Sequence, residues 1–219
     1  MPVSTSGAIT DARGAGMTWR RALKPAVFVL CAVPFVLLLA DAARGALSAD
    51  PIEDITHRTG RWGLRFLLIT LAVTPARLLT GWNQLIRYRR MLGLYAFFYV
   101  TLHFLTYIVL DQFFGFAYIV EDIAERPYIT VGFTSWLLLI PLALTSTDAW
   151  VRRLGKRWGK LHRLVYLAAA GGVLHFLWFV KADLRRPILY GSVLVVLLAL
   201  RLVPTATFRR LRSRVLPRR

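Results

Sequence analysis

The fold is decided by the stretch MLGLYAFFYVTLHFLTYIVL, residues 91–110, which contains twenty residues and no charged side chain. A helix of about 20 residues is needed to cross about 30 Å of hydrocarbon. Uncharged stretches at residues 127–147 and 164–180 are comparable, and those at 25–40 and 187–200 reach this length once a terminal charged side chain extends to the interface. These five stretches predict membrane-spanning helices.

The composition agrees with a membrane protein. The 219-residue chain carries 29 Lys and Arg against 11 Asp and Glu, a net charge of +18, yet 57% of its residues are hydrophobic. A soluble nucleic-acid-binding protein would have the charge without the hydrophobicity. A disordered or disulfide-rich chain is excluded by the 13% aromatic content and the single cysteine. We therefore expect the lipid bilayer, and no nucleic acid, as a partner.

A sixth helix is predicted at residues 62–80, although Arg65 and Arg77 leave only eleven uncharged residues between them. Both arginines can reach outward, and Trp62 and Trp82 suit the two interfaces, so we expect this helix to cross the membrane. The alternative is a helix lying in the interface, which would leave five spans.

The charges also predict the orientation, because cytoplasmic segments of membrane proteins collect Lys and Arg. With six spans and the N-terminus inside, the cytoplasmic segments hold 21 cations and two acids, while the outer segments hold seven cations and nine acids. We predict an all-α, six-helix transmembrane bundle with both termini in the cytoplasm. It comprises a tail at 1–22, the helical domain at 23–204 and a basic tail at 205–219, and its first span is not a cleaved signal peptide.

The histidines carry the predicted chemistry. His103, His162 and His175 fall within or at the ends of apolar helices, where an ionisable side chain needs a partner or a metal. His103 lies twelve residues after Met91 and His175 fifteen after Lys160, which places both about 18–22 Å from the inner end of parallel helices. Two opposed imidazoles in an apolar bundle suit a b-type heme between helices three and five. The alternative is that the histidines are structural.

The neighbouring residues favour a flat macrocycle over a bare ion. The tract AAAGG at 168–172 is small enough to let a large group approach the helix. Tyr99, Phe104 and Tyr107 surround His103 in the sequence. Ordinary helix packing is the alternative for the small residues, as filling of the membrane core is for the aromatic ones. Zinc is disfavoured, because helices three and five contain no acidic residue that could complete its ligand set.

His162 lies thirteen residues before His175, about 20 Å along the same helix and thus at the cytoplasmic edge. A second heme would need a ligand thirteen residues before His103, and that residue is Arg90, which does not ligate iron. His162 could bind a heme with an unusual partner, contact a heme propionate, or bind a quinol or flavin. The number of hemes, one or two, therefore stays open. His57 is expected to be an exposed loop residue, with docking or ligand binding as the alternative.

Several motifs resemble the MsrQ family, the heme-binding membrane subunits that partner MsrP in bacterial periplasmic methionine-sulfoxide reduction. They are ADP at 49–51, HRTG at 57–60, RRMLGL at 89–94, TLH at 101–103, and LGK, LH, VY and HF within 154–176. The histidine pattern is also similar, more distantly, to the ferric-reductase-type transmembrane domain.

This resemblance implies a multi-pass electron-transfer subunit of the bacterial inner membrane with heme b, its iron, and FMN. The donor would be the quinone pool or a cytosolic flavin reductase, and the acceptor a periplasmic molybdopterin-containing subunit that repairs methionine sulfoxide in proteins. No substrate-reducing residue is expected on this chain. His103 and His175 match heme-ligand positions, and His162 matches an additional family histidine. Basic candidates for the FMN phosphate, with membrane anchoring as the alternative for each, are Arg77, Arg89, Arg90 and Lys156.

Two other functions compete with this one. A transmembrane ferric reductase or a cytochrome b561-like quinol oxidoreductase would use the same chemistry, although a ferric reductase normally carries a fused flavin and nucleotide domain. A small transporter or scaffold with structural histidines belongs to another class. Transporters are often built from inverted repeats, and Pro34, Pro75 and Pro141 show no such pairing.

Overall fold

The computed structural model describes residues 8–204 and 206–208, and within them every regular element is helical, as predicted. A single 3-10 turn at Asn83–Leu85 precedes the third helix, and a π-helical turn at Tyr107–Asp111 continues it. The nine α-helices are α1 (Ala8–Ala43), α2 (Pro51–Thr80), α3 (Ile86–Thr106), α4 (Phe116–Glu125), α5 (Pro127–Leu144), α6 (Asp148–Leu154), α7 (Lys156–Leu161), α8 (Leu164–Phe179) and α9 (Arg185–Leu202).

Five helical stretches in the described part of the chain are long and apolar enough to cross a membrane: Leu23–Ala43, Pro51–Thr80, Asn83–Asp111, Pro127–Leu144 and Lys156–Phe179. The predicted helix at 62–80 is part of the second of these stretches. The helix predicted at 187–200 is present as α9, which is not among the five; its eighteen residues include Arg185, Arg186 and Arg201. The six-span count and the orientation therefore stay predictions. Helix α1 continues without a break through residue 22, the predicted end of the N-terminal tail, and the predicted tail at 205–219 lies outside the described residues except for 206–208.

Helix α2 forms the centre of the bundle. It begins at Asp50, whose carboxylate accepts the backbone N–H of Glu53 at 3.0 Å, and Pro51 occupies the first turn. It ends at Gly81, which takes the left-handed conformation with φ of 73°. Ten of its residues are buried, the largest of them Phe66. This burial favours a helix inside the bundle over the interfacial alternative.

Two antiparallel helix pairs make up the core: α2 packs along α3, and α5 packs along α8. In each pair, contacts further along one helix are made by earlier residues of the other. Gly60 meets His103 and Gly63 meets Val100 in the first pair, while Gly132 meets His175 and Ser135 meets Gly171 in the second. Fully buried side chains fill the space between the pairs, among them Leu71, Ala96, Ala168 and Ala169.

Helix α1 is fastened to α3 by the hydroxyl of Tyr99. This hydroxyl donates to the Cys31 carbonyl at 2.9 Å and accepts the Phe35 N–H at 3.1 Å, so it is inserted into one turn of α1. The neighbouring Pro34 has no N–H and disturbs the same turn. A buried tyrosine therefore satisfies backbone groups that the proline-containing turn leaves open.

Candidate functional site

His103 of α3 and His175 of α8 face each other across the bundle. Their ring centroids are 6.0 Å apart, and the ring planes make an angle of 71°. Two imidazoles that bind one metal ion from opposite sides, through bonds of about 2 Å, have ring centres about 6 Å apart. The separation therefore fits a single metal atom between the two rings.

Both rings are held by backbone carbonyls of the partner helix. The Nδ1 atom of His103 lies 2.9 Å from the Thr56 carbonyl oxygen, and Nδ1 of His175 lies 2.7 Å from the Tyr128 carbonyl oxygen. A carbonyl can only accept a hydrogen bond, so in both rings Nδ1 carries the proton and Nε2 keeps its lone pair. This tautomer, fixed by a backbone acceptor, is the one that metal-ligating histidines use.

A glycine lies beneath each ring, one helical turn after the carbonyl that holds it. A Cβ atom added to Gly132 would lie 2.7 Å from Nδ1 of His175, and one added to Gly60 would lie 3.0 Å from Nδ1 of His103. Both distances are shorter than ordinary contact. These two glycines, which the sequence analysis did not single out for this role, create the space in which the imidazoles lie.

The two half-sites are repeats of one another. Forty-seven residues separate Thr56 from His103, and the same number separates Tyr128 from His175. An alanine seven residues before each histidine is buried in the core, Ala96 at 0% exposure and Ala168 at 1%. The second helix pair therefore repeats the first in the same direction along the bundle axis. The recurring spacing of a glycine and a histidine was the signal in the sequence that could have revealed this repeat.

His57 lies on α2 and not in a loop, so the loop assignment was wrong. Asp50 and Pro51 begin the helix before His57, which the uncharged-stretch criterion could not detect. Its ring lies 5.4 Å from that of Phe179, which in turn stacks beside His175 at 6.5 Å and 23°. A continuous line of aromatic side chains thus leads from His175 to a half-buried histidine near the end of the bundle.

The small residues at 168–172 serve helix packing. Ala168 and Ala169 are buried in the core, and a Cβ atom on Gly171 would overlap the hydroxyl of Ser135 on α5. A Cβ atom on Gly172 would meet Leu64 of α2 at 3.6 Å. The tract therefore brings α8 close to both neighbouring helices, the packing role that was the alternative for these small residues; that it lets a ligand approach stays a prediction.

The aromatic residues around His103 join other elements. Tyr99 binds α1, as described above. The ring of Phe104 packs 4.3 Å from that of Trp136 on α5. The hydroxyl of Tyr107 donates to Asp122 at 2.9 Å. These contacts hold α3 in register with the neighbouring helices.

His162 belongs to the opposite end of α8 and does not join the pair. Its ring stacks on Trp158 at 3.8 Å, and its Nδ1 lies 3.2 Å from the Trp158 carbonyl oxygen. Its Nε2 is buried and has no hydrogen-bond partner among residues 8–204 and 206–208. Three further buried atoms at this end share that property: Thr74 Oγ1, Arg77 Nε and Arg201 Nε.

The four basic candidates are placed differently. Arg90 forms an ion pair with Asp148 at 2.6 Å and thereby holds the pKa of that carboxyl below its usual value. Lys156 is exposed, whereas Arg89 is partly buried near Arg201. The structure thus brings Arg77 and Arg89 to the end of the bundle where the unsatisfied polar atoms lie.

Within the portion that the structure covers, no group of three or more His, Cys, Asp or Glu side chains is arranged to hold a metal ion. A metal between His103 and His175 would therefore take two protein ligands. This number fits heme iron, which receives its other four bonds from the porphyrin.

Comparison with known proteins shows which family the chain belongs to. The family described as ferric reductase like transmembrane component matches residues 59–173, more than half of the chain. A protein of Rhodospirillum rubrum is 58% identical over 186 residues, which cover 84% of this chain and 89% of the relative. One of Xanthomonas oryzae pv. oryzae is 56% identical over 169 residues, covering 77% and 78%. Both relatives are named protein-methionine-sulfoxide reductase heme-binding subunit MsrQ. No solved structure matches the chain. At this identity and coverage, the chain belongs to the MsrQ family of ferric-reductase-like transmembrane proteins.

Proposed function

We propose that this chain is an electron-transfer subunit that binds a b-type heme between His103 and His175 and passes electrons across the bacterial inner membrane. The observation that carries the proposal is the pair of opposed rings, 6.0 Å apart, each with Nδ1 bonded to a carbonyl, so that the lone pair of each ring is on Nε2. The names of the relatives, which are heme-binding subunits, support it. Bound heme would supply an iron that gains and loses one electron.

The protein's own groups determine how such a heme is held. The Thr56 and Tyr128 carbonyls fix each imidazole in the ligating tautomer and make its Nε2 more basic. Gly60 and Gly132 allow the rings to lie against the helices. His103 and His175 would both be engaged in holding the heme, which would then supply one-electron transfer and not a site for substrate. This arrangement suits electron transfer, and substrate reduction would then take place on a partner protein.

The proposed electron acceptor is a periplasmic, molybdopterin-containing methionine-sulfoxide reductase. In the six-span topology with both termini in the cytoplasm, the His103–His175 pair lies in the outer half of the membrane. The rings of Phe179 and His57 continue from the pair toward the outer end of α2. The exposed acidic side chains of Glu53 and Glu121 would help to steer a partner there.

The opposite end of the bundle is the proposed entry point for electrons from quinol or a flavin reductase. Arg77, Thr74, His162 and Arg201 each leave a buried polar atom without a partner in the described residues, and Arg89 lies beside them. Buried polar groups normally have partners. An anionic cofactor such as FMN would provide them, and Arg77 and Arg89 would hold its phosphate in preference to Arg90 and Lys156. The same set is compatible with a second heme at His162.

The absorption spectrum of the purified protein tests the proposal. After heme-supplemented expression we expect a low-spin b-type spectrum. His103→Ala and His175→Ala should each abolish or convert it, whereas His57→Ala, placed at the end of the aromatic line, should retain it as a matched control. A colourless wild-type protein, or a normal spectrum in both ligand variants, would overturn the proposal.

Direct reduction of external ferric iron is a second candidate, favoured by the family match at residues 59–173. Mixing the reduced protein with ferric citrate and, separately, with the methionine-sulfoxide reductase subunit distinguishes the two functions. We expect rapid reoxidation by the reductase subunit and slow reoxidation by ferric citrate.

A further inference from the structure

A cleft of about 450 Å³ opens between α2 and α9. Four arginines line it, Arg58, Arg61 and Arg65 from α2 and Arg186 from α9, together with Trp62 and Tyr190. The cleft lies near the end of α2 whose Thr56 carbonyl accepts the hydrogen bond from His103.

Only one of these arginines is neutralised. Arg58 forms ion pairs with Asp41 at 2.6 Å and with Asp54 at 2.9 Å. Arg61, Arg65 and Arg186 form no ion pair with any acid in the described ranges 8–204 and 206–208.

The Arg65 guanidinium is held in place by neighbouring side chains, but its positive charge is not neutralised by an acidic side chain of the described residues. Its Nε donates to the Tyr190 hydroxyl at 2.9 Å, and its central carbon lies 4.6 Å from the Trp62 ring centroid. Arg65 lines the same cleft as Arg61 and Arg186, so three positive charges without an acidic partner in the described residues border one space. Charges on membrane helices carry a large desolvation cost and are normally paired.

The rim of the cleft is apolar. Leu189 lines the cleft and is 62% exposed, and the adjacent Ile188 is 56% exposed. Helix α9 also buries only Pro187, Leu194 and Leu197, so it packs loosely against the rest of the bundle. A ligand that fits must therefore combine an anionic head with an apolar body, and it would add contacts that α9 otherwise lacks.

We propose that this cleft is a binding site for an anionic phospholipid, whose phosphate is held by Arg61, Arg65 and Arg186 and whose acyl chains lie along α9. Guanidinium groups bind phosphate oxygens through paired hydrogen bonds. Basic pockets between membrane helices bind anionic lipid head groups on the cytoplasmic side of membranes, and we extend this to the outer side, where the six-span topology puts the cleft. The lipid fastens α9 to α2. This site is separate from the His103–His175 pair and does not depend on the proposed electron transfer.

The test compares lipids on the delipidated, detergent-solubilised full-length protein. Phosphatidylglycerol should raise the thermal midpoint of the wild-type protein, whereas phosphatidylcholine at the same concentration should not. Arg61→Gln combined with Arg186→Gln should weaken phosphatidylglycerol binding about tenfold or more, because charge-assisted hydrogen bonds are lost. Arg185→Gln, an exposed neighbour outside the cleft, should behave as the wild type.

Three outcomes would overturn the proposal. Equal stabilisation by phosphatidylcholine would show that the head group is not recognised. The same stabilisation by inorganic phosphate alone would show that the cleft binds a free anion. Loss of heme absorbance in the double variant, with Arg185→Gln unaffected, would show that these arginines bind the heme carboxylates. Native mass spectrometry of the retained lipid provides the direct readout.

Discussion

Replacing Gly132 by alanine should disturb His175 without removing any ligand. The new Cβ atom would lie 2.7 Å from Nδ1, 3.0 Å from Cε1 and 3.1 Å from Cγ of the imidazole. Ordinary contacts between such atoms are about 3.5–4.0 Å. The ring must therefore move by about 0.5–1 Å, and this movement strains its 2.7 Å hydrogen bond to the Tyr128 carbonyl and displaces Nε2.

The expected cost follows from the same geometry. Overpacking in a well-packed interior costs about 1–3 kcal/mol, and loss of the Nδ1 hydrogen bond adds about 1 kcal/mol. We expect Gly132→Ala to bind less heme and to convert part of the low-spin spectrum to high-spin. Gly60→Ala should have a smaller effect, because its Cβ would lie 3.0 Å from Nδ1 of His103. Absorption and electron paramagnetic resonance spectra measure the change.

Gly93→Ala on α3 is the matched control. Its added Cβ atom would meet only the Thr70 Cγ2 atom, at 3.7 Å, which is an ordinary contact. Alanine also favours the helix by about 1 kcal/mol over glycine, so this variant should keep the wild-type spectrum and be at least as stable as the wild type. If Gly132→Ala matches this control in heme content, spin state and thermal midpoint, the argument that glycine provides the space for the ring is refuted.

Four further predictions concern other parts of the chain. Tyr99→Phe should lower stability by about 1–3 kcal/mol, because it leaves buried groups of α1 unpaired, while the heme spectrum stays unchanged; thermal unfolding monitored by circular dichroism measures this. His162→Ala should retain the His103–His175 spectrum but slow reduction from the cytoplasmic side, and complete heme loss would contradict the placement of the pair. His57→Ala should slow reoxidation by the periplasmic partner at unchanged heme content, as stopped-flow absorbance would show. Arg90 lowers the pKa of Asp148, so their ion pair should stabilise the fold above about pH 4 and lose this effect as the pH falls through the lowered pKa. The thermal midpoints of the wild type and Asp148→Asn should therefore differ by a constant amount between about pH 5 and 8 and converge at lower pH.

The helices and the matching depth of the two central histidines could be predicted from the sequence, because each follows from counting residues along one helix. The length of an uncharged stretch predicts a helix, and α3, α5 and α8 begin and end close to the stretches counted. A fixed rise per residue placed His103 and His175 at one depth, and the structure brings their rings to 6.0 Å. That these rings bind heme stays a prediction.

What the sequence analysis missed depends on the rotation of one helix against another. The roles of Gly60 and Gly132 follow from the face that each helix turns toward its neighbour, and the uncharged-stretch criterion contains no information about that face. His57 was assigned to a loop because Arg58 and Arg61 interrupt the apolar pattern, although Asp50 and Pro51 form a good helix start. The capping signal should have outweighed the charges.

The internal repeat explains why one end of the bundle has a complete histidine pair and the other does not. Each helix pair supplies one histidine at the His103–His175 level, held by the same carbonyl and glycine arrangement. Thirteen residues earlier the repeats differ, because one carries His162 and the other Arg90. Arg90 is bound to Asp148, while Nε2 of His162 is left buried without a partner in the part of the chain described. The two repeats thus give the bundle the same groups at the His103–His175 end and different groups, Arg90 and His162, at the other end. We therefore expect a ligand at the His162 end to be held by different groups from the two repeats, Arg77 and Arg89 from the first and His162 from the second, and to differ in chemistry from one held equally by both.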